Sequence, residues 1–388
     1  MDKIMDTTTD AIHKVLTYKS GNFAFSRAYD RSRIETELKV FHARYDIIAR
    51  LPILPNWAAT LDEELIRKSI FSTAAIEGNP LDESEVDKII GQDSVSAAPQ
   101  DFEREIVNLK EAHARYLAGA KRQAPFLLSE ELIREVHGII TNGIREEENT
   151  PGRYRNQLVK VGNPDHGGTY VPPKILEDVK TLMREFVAWI NSPEMLQEDP
   201  LIRAALAHFH LGKIHPFRDG NGRTARMVEA MILSAARYIY IPNALWNYYY
   251  KNIHEYFIVF SKTEKDRSLS MDSFLNFFIV ALNSSLGSLL SSTISILKPI
   301  LLQNYVSFLK NSQQSITQRQ YDLVWLLLSN PVVDISSAFL KKTLPFSQLY
   351  KTVTEKTIKR DINKLLEHAV LVKTDGKIRL NYDLARLG

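Results

Sequence analysis

Apolar side chains recur at helical spacing along most of the chain, and this pattern predicts a mainly helical protein. Ile202 and Leu206 follow the period of an amphipathic helix over residues 201–214, and the period resumes after Asn221. A polar stretch over 92–100 predicts a loop. Further helices are expected over residues 34–51, 61–78, 102–120, 129–144, 175–191, 244–260, 271–286, 289–309, 321–328 and 354–368.

Two turn-rich regions predict β-hairpins instead of helices. Residues 157–161 and 169–171 flank a glycine-rich turn, and residues 370–373 and 378–380 flank an Asp-Gly dipeptide, a strong signal for a two-residue turn. The second hairpin follows two predicted helices, and this order of elements resembles a winged helix. We therefore expect a mainly α fold with a small β-hairpin flap, plus a C-terminal winged-helix domain. The aromatic stretch 18–29 is expected to form an irregular arm.

Composition narrows the class of protein only in part. The chain has 388 residues, a net charge of +3 and no cysteine. This length predicts two or three domains, and the small net charge neither favours nor excludes nucleic acid as a partner. Without cysteine, disulfides and thiolate metal sites are excluded. The first residues lack a signal-peptide pattern, and polar residues and Pro299 interrupt the apolar region 274–302, so we expect a cytoplasmic protein with no membrane span.

The residues with the most chemistry lie in the predicted turn between two helices, at 215–226, with the sequence HPFRDGNGRTAR. Gly220 and Gly222 have no Cβ, so backbone N–H groups at the start of the second helix can approach an anion such as phosphate. Arg223 and Arg226 are three residues apart and project from one helix face beside these groups. This turn, which we call the signature loop, therefore predicts a phosphate-binding site.

Two further residues of the signature loop supply reactive groups. Asp219 offers a hard oxygen ligand for Mg²⁺, and His215 can accept a proton near neutral pH. A base, a metal ligand, a phosphate cradle and two cations in one loop indicate phosphoryl or nucleotidyl transfer.

The signature loop resembles the motif of the Fic family, HPFx(D/E)GNGRxxR, at every defined position. The resemblance implies a Fic-type helical core and a Mg²⁺-dependent protein adenylyltransferase, in which ATP donates AMP to a Ser, Thr or Tyr hydroxyl of a protein. It implies that His215 is the base, that Asp219 holds Mg²⁺ and that the Asn221 side chain faces the α-phosphate. The resemblance places the following residues at ATP and its phosphates: Gly220, Asn221, Gly222, Arg223, Arg226 and Asn252.

A second motif lies at the end of the predicted helix 61–78. Residues 73–79, TAAIEGN, resemble the family's inhibitory-helix motif (S/T)xxxE(G/N), with Thr73 and Glu77 at the defined positions. The resemblance implies that Glu77 pairs with Arg226 and withholds this arginine from the γ-phosphate. Control of the reaction requires a substantially buried pair, because an exposed ion pair is worth only about 0–1 kcal/mol.

The resemblance also suggests a division of the chain into regions. The expected regions are an N-terminal helical region with the inhibitory helix at 1–110, a Fic catalytic core at 111–290, a helical linker at 291–314 and a winged-helix domain at 315–388.

Other chemistries remain open on the same loop. Family members also transfer other phosphate-containing groups or remove AMP, and in AMP removal Glu77 would position a hydrolytic water and be required for activity. The modified side chain, the target protein and whether inhibition acts within one chain or between chains stay open. A lone histidine in a predicted helix is more often structural, so we assign His137 no catalytic role.

The basic residues of the helix predicted over 354–368 suggest a different class of function. Lys356, Lys359, Arg360 and Lys364 crowd this helix, whereas Glu355 and Asp361 dilute its charge. The pattern is typical either of a DNA-reading helix or of a solvated face on a protein-docking domain. A nucleotide-sensing DNA-binding regulator is therefore the alternative to an enzyme. We also expect a homo-oligomer and a protein that modifies itself.

Overall fold

The computed structural model describes residues 11–50, 55–91, 100–117, 126–144, 149–332 and 334–383. The start of the chain and most of the loop expected over 92–100 lie outside these ranges. The chain divides into two compact units, residues 1–289 and 290–388. The finer division into four regions stays a prediction.

Helices form most of the first unit, which confirms the predicted mainly α class. They are α1 (Arg31–Ala49), α2 (Pro55–Ile76), α3 (Glu83–Gly91), α4 (Asp101–Tyr116), α5 (Glu130–Ile140), α6 (Leu176–Ile190), α7 (Pro193–Gln197), α8 (Pro200–Ile214), α9 (Asn221–Ala235), α10 (Ile241–Lys251) and α11 (Ile253–Glu264). Two antiparallel hairpins pair β1 (Ile12–Leu16) with β2 (Asn22–Ser26) and β3 (Val161–Asn163) with β4 (Gly168–Tyr170).

Helices α8 and α9 pack against each other at the centre of this unit. Apolar residues surround α8 on all sides, so that Leu206 and Ala207 are both fully buried, as is Met231 on α9. Asp199 caps α8 by accepting a hydrogen bond from the Leu201 amide at 2.9 Å. The signature loop connects these two helices and is therefore anchored in the core at both ends.

A buried polar network joins the helices around this centre. His208 Nδ1 lies 2.6 Å from Glu229 Oε2, and the Tyr249 hydroxyl donates to the same oxygen at 3.0 Å. His208 Nε2 lies 2.9 Å from the Tyr256 hydroxyl. Because these residues belong to α8, α9, α10 and α11, the network fixes the helices that surround the start of α9.

Several element boundaries differ from the sequence predictions. Helix α2 begins at Pro55 and not near residue 61, since proline is well tolerated in the first turn of a helix. The helix predicted over 244–260 is interrupted at Asn252, where α10 ends and α11 begins. The arm predicted over 18–29 is part of the β1–β2 hairpin, and β3 pairs with β4 closer to the turn than expected.

The second unit has its own apolar core. It contains the end of α12 (Asp272–Asn311), then α13 (Gln318–Ser329), α14 (Ser337–Lys342), α15 (Phe346–Leu349), α16 (Glu355–Glu367) and a hairpin of β5 (Leu371–Thr374) and β6 (Lys377–Leu380). Leu323, Leu340, Ile358 and Leu365 are fully buried in this core. The two predicted helices and the predicted hairpin are present, with α14 and α15 as additional elements.

Helix α12 contradicts two expectations. Residues 271–286 and 289–309 form one continuous helix, in which Pro299 is accommodated at the loss of one backbone hydrogen bond. Among the described residues, α12 is a helix long enough and apolar enough to cross a membrane, judged by length and composition alone. Of the most apolar part of α12, 56% is buried inside the protein, as is usual for a helix that packs in a core.

Candidate active site

Two residues in the left-handed region set the path of the signature loop. His215 ends α8 with φ 51° and ψ 59°, and Gly220 precedes α9 with φ 75°. A Cβ at Gly220 would lie 2.8 Å from Thr141 Cγ2, so glycine is required there by space as well as by conformation. The loop therefore places His215 and the free N–H groups of the first turn of α9 close together.

The Asn221 side chain closes the loop and does not face outward as expected. Its Oδ1 accepts from the Phe217 amide at 2.9 Å, and its Nδ2 donates to the Phe217 carbonyl at 2.9 Å. Both ends of the amide are engaged within the loop because the side chain is buried against it. The structure thus assigns Asn221 to loop closure, and the backbone is left to contact an anion.

His215 presents one ring nitrogen for chemistry. Its Nδ1 lies 3.3 Å from the Gly212 carbonyl, which places the proton on Nδ1 and leaves Nε2 as the acceptor. Burial lowers the pKa of His215 to about 4, with Arg155 adding to the decrease. The imidazole is therefore neutral at pH 7 and can accept a proton.

The His137 side chain, for which we expected no catalytic role, bonds to the backbone of the signature loop. Its Nε2 donates to the Asp219 carbonyl at 2.9 Å, and its Nδ1 accepts from the Gly152 amide at 2.9 Å. The ring stacks on Phe217 with the centroids 3.7 Å apart. Sequence reasoning could not find this role, because Asp219 lies 82 residues further along the chain.

Buried neutral histidines predict a loss of stability in acid. Burial lowers the pKa of His137 to about 4 and that of His210 to about 3, both below the ordinary value of 6.5. Their contribution to stability is complete above pH 6.5 and is lost as the pH falls towards these lowered values. We expect the free energy of unfolding to fall by about 1–3 kcal/mol per histidine, measured by denaturant titration across this range.

The variant His137→Gln isolates one of these two contributions. Glutamine keeps a hydrogen-bonding amide but cannot be protonated, so its stability should depend less steeply on pH than that of the wild type. Identical pH dependence in the variant and the wild type would contradict the assignment to His137.

Arg223 is held by two carboxylates. Its Nη1 donates to Glu105 Oε1 at 2.5 Å, and its Nη2 donates to Asp219 Oδ2 at 2.5 Å. Glu105 also accepts from Asn79 Nδ2 at 2.8 Å, and its side chain is only 9% exposed. Burial raises the pKa of Glu105, while Arg223 acts in the opposite direction. Glu105, on α4, is a second residue that the sequence analysis missed.

Glu105 provides a stability prediction. The change Glu105→Ala removes one partner of a buried ion pair, which typically costs about 3–5 kcal/mol. The cost should lie at the lower end because Asp219 still neutralises Arg223. The midpoint of denaturant unfolding measures the effect, with Glu111→Ala on the exposed side of the same helix as the control. Equal midpoints for the two variants would contradict a structural role for Glu105.

Arg226 is completely buried and points at the end of α2. Its Nε donates to Thr73 Oγ1 at 2.8 Å, and its Nη2 donates to the Thr73 carbonyl at 3.1 Å. The same Nη2 donates to Glu77 Oε1 at 2.7 Å. The structure therefore brings together the three residues that the inhibitory-helix motif singled out, with Glu77 27% exposed and Arg226 1% exposed at their side chains.

The Glu77 carboxylate also lies at the start of α9. A Cβ added to Gly222 would be 2.2 Å from Glu77 Oε1, so the carboxylate is packed directly over this glycine. Helix N-termini attract anions through their free N–H groups and the helix dipole. A negative group thus already occupies the place where the sequence predicts a phosphate.

Arg155 joins the signature loop to the chain segments before and after the β3–β4 hairpin. Its Nε donates to the His215 carbonyl at 2.8 Å, its Nη1 to Gln157 O at 2.8 Å and its Nη2 to Pro173 O at 2.7 Å. Burial lowers the pKa of Arg155 to about 10, which leaves it charged at pH 7. The Tyr170 hydroxyl donates to Gly212 O at 3.0 Å, so the hairpin is tied to α8 as well.

Asn252 is the predicted site residue that stays apart from the signature loop. It lies between α10 and α11, and its Nδ2 donates to Tyr248 O at 2.9 Å. Within the part of the chain that the structure describes, no hydrogen bond joins Asn252 to residues 215–226. Its assignment to the nucleotide stays a prediction.

The part of the chain that contains this site matches a known family. Residues 127–233 match the Fic/DOC family. The chain is 31% identical over 188 residues to protein adenylyltransferase fic-1 of Caenorhabditis elegans, across 48% of this chain and 35% of that protein. It is 30% identical over 178 residues to protein adenylyltransferase Fic of Aedes aegypti, across 46% of this chain and 34% of that protein. The chain thus spans about a third of the length of these curated relatives.

Solved structures share the fold. A Fic family protein from Desulfovibrio desulfuricans has a TM-score of 0.55 at 20% identity, with 90% of this chain and 95% of that chain covered. A fragment of Fic-1 from C. elegans has a TM-score of 0.54 at 23% identity, with 68% of this chain and 73% of that chain covered. The signature loop lies within the residues that match the Fic/DOC family, and its predicted resemblance to that family is confirmed.

Proposed function

We propose that this protein is an adenylyltransferase that moves AMP from ATP to a hydroxyl group of a protein and releases pyrophosphate. The observation that carries the proposal is the position of neutral His215 beside an anion site at the start of α9, where a carboxylate already lies. The names of the relatives, protein adenylyltransferase, support the same chemistry.

His215 would take the proton of the attacking hydroxyl. Its lowered pKa keeps the ring neutral at pH 7, and Nε2 is free of the Gly212 contact. General base catalysis of this kind contributes about 10²- to 10⁴-fold. The hydroxyl oxygen forms a bond to the α-phosphorus as the bond to the pyrophosphate oxygen breaks.

The start of α9 would hold the triphosphate. Backbone N–H groups at Gly222 and its neighbours can stabilise the charge that develops on the α-phosphate. Arg226 and Arg223 would bind the outer phosphates once their carboxylate partners are displaced. Positioning of the α-phosphate for in-line attack is then the main contribution of these residues.

Asp219 fits a role in binding Mg²⁺ together with nucleotide. Its side chain is 34% exposed and bonded to Arg223, and within the described residues no group of three or more potential metal ligands is present. Mg²⁺ commonly uses one or two carboxylates together with phosphate oxygens and water. An ion at Asp219 would neutralise phosphate charge when bound, and Arg223 would then be free to turn towards the nucleotide.

Glu77 would inhibit the reaction by occupying Arg226. The pair lies where the outer phosphates need the arginine, and Arg226 is fully buried, so the contact is stronger than one at the surface.

Removal of AMP is the second candidate function. The Glu77 carboxylate is 27% exposed and packs over Gly222 at the start of α9. Burial lowers the pKa of His215, and the charge of Glu77 partly opposes this decrease. A carboxylate in this position could orient a water molecule for hydrolysis. Glu77 would then be required for activity and would not inhibit it.

The β3–β4 hairpin is the candidate surface for the protein target. Its position is fixed by Tyr170 on one side and by Ser261 on the other, whose hydroxyl donates to the Gly167 carbonyl at 3.0 Å. A strand edge binds an extended chain through main-chain hydrogen bonds and tolerates many side chains. The target can include the protein itself.

The test uses ATP labelled at either the α- or the γ-phosphate and measures label on protein, with the full chain alone and with a cell extract. Label from the α-position only would support adenylyl transfer. Label from the γ-position would indicate a kinase and contradict the proposal. No label from either position, in a protein that still binds ATP, would favour hydrolysis or nucleotide sensing.

A further inference from the structure

The second unit carries a charge that the composition of the whole chain conceals. Residues 290–388 contain fourteen lysines and arginines against seven aspartates and glutamates, a net charge of +7. The whole chain has a net charge of +3, so residues 1–289 carry −4. Positive charge is therefore concentrated in the smaller unit, as in domains that bind nucleic acid.

Helix α16 presents the most basic face of this unit. Ile358, Ile362 and Leu365 are buried in the core and define the inner side of the helix. The opposite side of the helix is exposed, and its residues are spaced three or four apart, as neighbours on one helix face are. They are Lys356, Lys359, Arg360 and Asn363. Among them, Lys359 makes an exposed ion pair, in which its Nζ lies 3.3 Å from Glu355 Oε1.

One acidic residue of α16 is buried and does not lie on this exposed face. Asp361, which dilutes the charge in the sequence, points into the core with its side chain only 1% exposed. It accepts from Arg319 Nε at 2.7 Å and Nη2 at 3.2 Å, and from Gln320 Nε2 at 2.9 Å. The exposed side of α16 is therefore more basic than its sequence indicates.

The hairpin that follows α16 adds cations. In the β5–β6 pairing, Val372 lies opposite Arg379 and Thr374 lies opposite Lys377, and all four are exposed. On the other side of the hairpin, Leu371 is buried in the core. The outward face thus carries two basic residues and no acidic one among these four positions.

The order of elements matches a domain that presents one helix to a duplex. The Ile335 amide donates to the Ile378 carbonyl at 2.8 Å, so an extended segment after α13 pairs with β6. The sequence α13, extended segment, α14, α15, α16 and hairpin is the order of a winged helix. Helix α16 has 13 residues and is about 20 Å long, a size that the major groove of DNA accommodates.

We propose that residues 290–388 bind duplex DNA, with the exposed face of α16 in the major groove and the β5–β6 hairpin against the phosphate backbone. Lys356 and Lys359 would contact phosphates, while Arg360 and Asn363 have the side chains that recognise guanine and adenine edges. This activity is separate from adenylyl transfer and does not rest on it.

The test measures binding of the full-length protein to a fluorescent duplex of mixed sequence, by anisotropy, between about 50 and about 200 mM salt. The test variant replaces Lys356, Lys359 and Arg360 with glutamine. The matched control replaces Lys39, Lys180 and Arg184, which are exposed on helices of the first unit, and so removes the same charge. Thermal unfolding of both variants verifies that they fold.

The test variant should bind at least about tenfold more weakly than the wild type at the lowest salt, and the slope of log K against log salt should decrease by about 2 to 3. Glu355→Gln removes the acidic residue beside Lys359 and should strengthen binding. Adenylyl transfer should be unchanged in all three variants.

Three results would overturn the proposal. The first is the absence of salt-dependent binding by the wild type, and the second is an equal loss of binding in the control variant. The third is binding of the basic face to vesicles of anionic lipid or to a protein, without binding to duplex DNA. Loss of adenylyl transfer in every protein, with DNA binding intact, would contradict the proposed enzyme and leave this proposal standing.

Discussion

Replacing His215 with alanine is expected to reduce the transfer of α-labelled AMP by at least about a hundredfold, the range of general base catalysis. The ring is the one neutral acceptor that we place beside the anion site, and burial keeps its pKa at about 4. ATP binding should be retained, because the phosphates would be held by the start of α9 and by Arg223 and Arg226. Calorimetry with ATP measures this binding separately from transfer.

His13→Ala is the control for this variant. His13 lies on β1 with its side chain 43% exposed and contacts Glu185, far along the chain from the signature loop. The His13→Ala variant should transfer AMP and bind ATP as the wild type does. Transfer at the wild-type level in His215→Ala would refute the base assignment, and joint loss of transfer and ATP binding would make His215 a nucleotide-binding residue instead.

Replacing Glu77 with glycine is expected to increase transfer by about tenfold to a hundredfold. A hydrogen bond between charged groups is worth about 1.5–3 kcal/mol, and its loss frees Arg226 for the nucleotide. Glycine also removes the carboxylate that lies over Gly222. The rate of label incorporation from α-labelled ATP, at fixed protein concentration, measures the effect.

Two further variants test whether the effect of Glu77→Gly comes from the loss of the Glu77 charge. Glu77→Gln keeps the shape but removes the charge, so its rate should lie between those of the wild type and Glu77→Gly. Glu83→Gly removes an exposed carboxylate at the start of α3 and should have no effect. A fall in activity in Glu77→Gly would make Glu77 catalytic and would favour removal of AMP.

The signature loop could be predicted from sequence because its chemistry is contiguous. The positions of His215, Asp219 and the two arginines follow from one turn between two helices. The pairing of Glu77 with Arg226 could be predicted as well, but only through a family motif, since the two residues are 149 positions apart.

The residues that hold the loop could not be predicted in this way. Glu105, His137 and Arg155 contact the loop across 118, 82 and 60 positions of sequence. Each lies in a separate part of the chain, and nothing in its local pattern distinguishes it from an ordinary polar residue. The contacts of Asn221 could not be predicted for a related reason, because only the folded loop shows that its amide bonds to the Phe217 backbone.

Pro299 and the start of α2 show where predictions from local sequence signals failed. A proline within a long apolar helix costs one hydrogen bond, which packing of the rest of α12 outweighs. The helix predicted from residue 61 already starts at Pro55, so its predicted first residues lie inside α2. Local start and stop signals are weak where the surrounding residues favour helix.

The position of Glu77 just beyond the last residue of α2 has a consequence for how the two arginines are connected. Gly78 follows with φ 90°, so the carboxylate is attached to the end of a helix, the part that opens at the least cost in free energy. Asn79, one residue further, is bonded to Glu105 and hence to Arg223. The end of one helix is therefore linked to both phosphate-binding arginines, to Arg226 through Glu77 and to Arg223 through Asn79 and Glu105.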